Sequence, residues 1–203
     1  MLESEYVFNI IYKFYPRFLD YDDRNYKKTK QHIQLKKILN DKKKFNKDIK
    51  KYYDLIKNIF KEYAIVYKTN LSYPSYHYSI LLARNQDILD DDVELMKVLG
   101  GHRFNLEIFI SRLCEYYYIY TTEDVYNGNG TWHFFSYDEK KRLDSDLIEK
   151  LNITLRKEGL KQLSYREAHT TVPCLISTEL LPYGGNEIKV FNCLFSDMIT
   201  DFF

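Results

Sequence analysis

Glycine and proline are scarce in this chain, at 7 and 4 of 203 residues, so long structureless linkers are not expected. Cysteine is sparse too. Cys114, Cys174 and Cys193 form an odd, unpatterned set, which argues against a disulfide framework and fits a reducing compartment. No apolar run approaches the ~20 residues that span a bilayer. The N-terminus, MLESEYVFNI, puts acids where a secretory leader carries basic residues. The expectation is a cytoplasmic protein with no membrane partner.

Catalytic signatures are missing as well. HExxH, GxSxG, Walker-type and GxGxxG patterns do not occur. His32, His77, His102, His133 and His169 lack metal-ligand spacing. Gly100-Gly101 and Gly184-Gly185 read as turn pairs rather than phosphate cradles. The acids at 90–92, Glu94, Glu123, Asp124 and Glu179 suit helix capping and loop solvation as well as any carboxylate pair. No catalytic residue, metal or cofactor is therefore assigned, and the reading leans away from an enzyme.

Aromatics and lysines are abundant. The chain holds 20 Tyr and 13 Phe, and 45% of it is hydrophobic, enough to bury a core without staples. AT-rich codon usage accounts for part of the tyrosine count but not for its clustering. Charge is uneven. Residues 1–70 carry 17 Lys/Arg against 9 Asp/Glu, and the remainder carries 13 against 20. This raises the idea of nucleic-acid binding by Lys43, Lys44 and Lys47, with Tyr52 and Tyr53 beside them as stacking groups. The competing reading is a solvated helix face, because those tyrosines also fall on an apolar helical stripe.

Periodicity divides the chain. Helices are expected over residues 5–15, ended by Pro16, and over 22–39, capped by Asp22 or Asp23. A third runs from Phe45 to about Asn70. Residues 71–85 are ambiguous. A helix begins after the acids at 90–92 and stops at Gly100-Gly101, and another is expected from Asn105 to Leu113. Past that point the period becomes two. A helix at 144–157 precedes Gly159, and Ser164 with Glu167 matches a capping box. Residues 172–180 read as extended, 182–186 as a turn and 187–195 as a strand. The expected fold class is α+β: a helical region at 1–113, packed on a mainly antiparallel sheet with one long helix at 114–203, the two read as parts of one continuous unit.

The densest aromatic stretch, residues 114–137, reads as a β-hairpin. Asn127-Gly128 and Asn129-Gly130 compete for its turn, and both suit a type I′ geometry. With either, Tyr116, Tyr118, Tyr120 and Thr122 share a face with His133, Phe135 and Tyr137. Tyr117, Ile119 and Thr121 then share the other with Trp132, Phe134 and Ser136. The second face is assigned to the core. The first, with phenols and an imidazole, is the candidate contact face: Tyr118, Tyr120, His133 and Tyr137, with Glu123 and Asp124 beside them. A three- or five-residue loop would reverse this pairing, and a hairpin covered on both sides is the bland alternative. The favoured function is a protein-interaction module of the inhibitor or immunity type, whose acidic C-terminal half meets a basic partner. The alternatives are the nucleic-acid reading and an enzyme centred on His133.

Overall fold

A computed structural model describes residues 3–89, 91–137, 145–181 and 186–196. The fold is α+β. Its strands are β1 (Ile65–Tyr67), β2 (Ser75–Leu81), β3 (His102–Ser111), β4 (Tyr116–Tyr126), β5 (Trp132–Tyr137) and β6 (Lys161–Gln162). Strands β1 to β5 form an antiparallel meander in chain order. Strand β6 adds in parallel to the start of β4, at Tyr116 and Tyr117. β5 pairs with the far end of β4, from Thr121 to Tyr126.

Helices cover both faces of the sheet's centre. On one face, α3 (Lys42–Ile59) and α5 (Ser145–Lys157) pack Phe45, Ile56, Ile148, Leu151 and Leu155 against Tyr78, Ile80, Ile108, Tyr117 and Ile119. On the other lie α1 (Glu3–Ile11), α2 (Lys30–Leu39), α6 (Tyr165–Ala168) and α7 (Val190–Leu194). They pack Val7, Ile11, Leu35, Phe191 and Leu194 against Phe109, Tyr116 and Tyr118.

The helix starts follow local chemistry. Thr29 caps α2 by accepting from the His32 amide, and Asp41 caps α3 by accepting from Lys44. Asp91 caps α4 (Asp92–Val98) and accepts from Val93 and Glu94. Gly100 and Gly101 then turn the chain with φ of +72° and +85°. Ser164 and Glu167 form the expected capping box. Asp144, one of the expected caps of α5, and most of the expected turn at 182–186 lie outside the described residues.

Arg112 ties the end of α2 to the segment before β2. Its guanidinium donates to the carbonyls of Ile38 and Leu39 at the end of α2, and to those of Leu71 and Tyr73 before β2. It also sits 4.9 Å from the Phe45 ring centroid. Burial holds its pKa below the usual arginine range.

Several elements depart from expectation. The segment expected as a helix at 105–113 is strand β3, flanked by β2 and β4. It is buried on both faces, so its apolar residues satisfy a helical period as well as an alternating one. Residues 187–195 contain helix α7 rather than a strand, and Val190 through Leu194 are all buried, which erases any period. The helix expected over 22–39 starts only after Thr29, whose extended backbone breaks it; Tyr26 lies in a separate short turn. The third helix stops at Ile59, because the chain beyond it pairs with β2 as strand β1.

Candidate functional site

The β4–β5 loop decides which residues can act together. Tyr126 pairs with Trp132, so the loop has an odd count, residues 127–131, and it closes with the Asn127 amide donating to the Thr131 carbonyl at 3.2 Å. Even residues of β4 therefore face the same way as even residues of β5. This reverses the expected pairing: Tyr118 and Tyr120 lie on the opposite face from His133 and Tyr137. Trp132 and Phe134, expected in the core, are half-buried and 64% exposed respectively. Neither Asn-Gly pair forms a two-residue turn. Five residues are needed, with φ of +75° at Gly128 and +88° at Gly130.

Tyr118 is a core residue, 1% exposed. Its ring lies 5.7 Å from Phe191 at 81°. Tyr120 stacks on Phe109 at 5.8 Å and 7°. Burial, and then the nearby Glu107 carboxylate, push its phenol far above the usual range. These two side chains belong to the α7 side of the sheet and are not a contact face.

The outer half of the hairpin is different. On one face, Tyr126, Trp132 and Phe134 form a row with ring centroids 4.9 and 6.3 Å apart. On the other, His133, Phe135 and Tyr137 form a second row at 6.4 and 6.5 Å. His133 is exposed, opposite Val125, and its ring contact is with Phe135. Glu123, on the His133 face, accepts from Tyr137 Oη at 2.8 Å and faces His102 Nδ1 at 2.8 Å. That bond to Glu123 raises the Tyr137 phenol pKa, with burial adding to it. Asp124, on the Trp132 face, accepts from Arg103 Nε at 2.8 Å, and Arg103 also reaches Asp92. Burial opposes the charge on Arg103, but the two carboxylates outweigh it and raise its pKa.

A second cluster was not legible beforehand. Glu107 on β3 is buried beside His77 and Ser79 of β2. His77 Nε2 donates to one carboxylate oxygen at 2.6 Å; Ser79 Oγ at 2.8 Å and Lys68 Nζ at 3.2 Å donate to the other. Burial favours protonation of Glu107, but the His77 bond, the Lys68 charge and the Ser79 bond prevail and hold its carboxyl below the usual range. Both His77 and Ser79 spend their bonds on the carboxylate, so no serine–histidine pair forms. The usable signal was the alternation in SYHYSIL, polar at Ser75, His77 and Ser79 and apolar at Tyr76, Tyr78 and Ile80.

The remaining candidates disperse. Lys43, Lys44 and Lys47 are exposed on the first turns of α3. Tyr52 is turned inward, 5.7 Å from the Tyr76 ring, so it offers no stacking face beside them. Burial pushes the Cys114 thiol up to about 11 and Cys193 higher still, which makes both poor nucleophiles. Among the described residues no three His, Cys, Asp or Glu side chains converge as a metal site. A cleft of about 380 Å³ lies between Pro173, Cys174, Ile176, Leu181 and Glu187. Among the described residues no helix is long and apolar enough to cross a membrane. No protein-family model, curated protein or solved structure matches the chain.

Proposed function

We propose that this chain is a protein-interaction module, of the inhibitor or immunity type, that takes a basic protein partner on the outer half of the β4–β5 hairpin. One observation carries the reading. Strand β5 presents Phe134 64% exposed and Phe135 39% exposed, with Trp132 half-buried beside them. Water-exposed aromatics on a rigid strand are the groups that dominate interface energetics. Residues 121–137 contain Glu123 and Asp124 and no Lys or Arg, and the neighbouring Arg103 is shared between Asp124 and Asp92, so the surface stays net negative, which supports a positively charged partner and disfavours nucleic acid there.

The test is site-specific photo-crosslinking in cells. A benzoyl-phenylalanine label replaces Phe134 in one protein and Ile153, exposed on α5, in another. The expected result is a discrete protein adduct from position 134, absent from position 153 and lost when Trp132→Ala and Phe135→Ala are added. Equal labelling from both positions, or none from 134, overturns the proposal.

A further inference from the structure

Strand β5 ends the sheet, and among the described residues nothing pairs with its outer edge. Its exposed backbone groups can be assigned. The Asn127 amide donates to the Thr131 carbonyl across the hairpin, whereas the Tyr126 amide donates away from β5, to Gly101, at 2.8 Å. Antiparallel ladders alternate, so Val125–His133, Glu123–Phe135 and Thr121–Tyr137 are the pairs that exchange hydrogen bonds. The amides and carbonyls of Trp132, Phe134 and Ser136 therefore point outward, and among the described residues no backbone group pairs with them; Trp132 and Phe134 are the accessible ones, since Ser136 is buried. The β6 side agrees, since Lys161 and Leu163 donate to the carbonyls of odd residues Glu115 and Tyr117 on that flank of β4.

Edge strands are normally guarded by lysine, proline, a bulge or an inward charge. β5 has none of these: it reads WHFFSY, and its register with β4 runs unbroken over six pairs. A strand this long and unguarded is a template for another.

We propose that a partner binds by β-strand addition, laying an extended, lysine- or arginine-bearing segment along the outer edge of β5. This deepens the reading above and rests on it. Charge selects the occupant. Two copies of this edge would set two net-acidic hairpins side by side, with Glu123 on each and no Lys or Arg on either, so self-pairing gains no charge complementarity. A basic segment instead gains the field of Glu123, next to Phe135, and of the Asp92–Arg103–Asp124 group beside Phe134, where two carboxylates share one guanidinium and leave a net negative charge. Its alternate side chains lie over the Trp132–Phe134 row on one face and the His133–Phe135 row on the other, where cations sit favourably on aromatic rings.

The probe is a short fluorescent peptide alternating Val and Lys. Its controls are an alternating Val–Glu peptide and a Val–Lys peptide N-methylated at every second amide. In the free protein, the amides of Trp132 and Phe134 are expected to exchange with solvent much faster than those of His133 and Phe135. The Val–Lys peptide should bind below about 1 mM and slow the Trp132 and Phe134 amides by about tenfold or more. The N-methylated peptide and Phe134→Pro should abolish this, since proline removes an outward amide and leaves the β4 ladder bonded. Slow outward amides in the free protein, no binding of the Val–Lys peptide, equal binding of the Val–Glu peptide, or protection that rises with protein concentration alone each overturn strand addition by a basic segment. So does binding that survives N-methylation. Crosslinking from position 134 then reports separately on whether the hairpin is an interface at all.

Discussion

His77 Nε2 lies 2.6 Å from Glu107 Oε2 across the β2–β3 pair, in a cluster where Ser79 and Lys68 satisfy the other carboxylate oxygen. Glu107 titrates below the usual carboxylate pKa of about 4.3 when folded. The unfolded chain therefore takes up this proton first as pH falls. The stabilisation is complete above the ordinary carboxylate pKa and is lost as pH drops through the depressed folded value. Glu107→Gln should cost about 2–4 kcal/mol at neutral pH and flatten the acid limb of stability against pH. Urea titrations across the acid range measure this; an unchanged acid limb would refute the assignment.

Arg112 should tolerate no substitution. Its fork reaches four carbonyls on two segments, and α2 ends where its charge lies. Lysine has the charge without the planar fork, so Arg112→Lys is expected to lose about 2 kcal/mol or more, and Arg112→Ala about 3 kcal/mol. Chemical denaturation would show it, and a loss of a few tenths for the lysine variant would contradict it.

Two glycines separate backbone strain from crowding. A Cβ on Gly101, at φ +85°, would stand 3.1 Å from the Tyr126 carbonyl oxygen, while one on Gly128, at φ +75°, meets nothing within 4 Å. Gly128→Ala should cost about 1 kcal/mol for the left-handed backbone alone. Gly101→Ala should cost more, since the oxygen it approaches is backbone that accepts no easy shift. Comparison of the two melting temperatures decides this; equal losses would mean that the Tyr126 contact is unimportant.

The inner and outer ends of the hairpin should respond oppositely to truncation. Tyr118→Ala opens a cavity among Phe191, Phe195 and Phe109 and should cost about 3–5 kcal/mol. Phe134→Ala removes an exposed ring and should change stability by no more than about 0.5 kcal/mol. If it forms the interface, the same change should weaken partner binding by about 2 kcal/mol. A large stability loss for Phe134→Ala would mean that the ring is structural.

Legibility followed one-sidedness. α3 and α5 show a buried stripe and a charged back, so sequence period finds them, and α4 is bracketed by its Asp91 cap and the glycine pair. α7 is buried all round, and an apolar run without a polar face carries no period, while the β3 segment alternates Asn105 and Glu107 with Phe104, Leu106 and Ile108 yet also places Leu106, Phe109, Ile110 and, just past its end, Leu113 at helical spacing. The hairpin itself was visible, but its register was not. Two Asn-Gly steps each advertise a two-residue turn, and the five-residue loop overrides both, flipping which of Tyr118, His133 and Phe134 share a face. The Glu107 cluster joins residues some thirty positions apart, so only knowledge of the β2–β3 pairing brings it together.

The meander has a consequence for assembly. Each of β2 to β5 hydrogen-bonds the strand made just before it, so the sheet can zip in order of synthesis at small loop-closure cost. The α1–α7 layer is the opposite case: Tyr15 Oη donates to the Cys193 carbonyl across 178 positions. We predict that this layer closes last, a step available only when the final helix has emerged. Pulse-labelled exchange should protect β3 and β4 amides before those of α1, and the reverse order would refute it.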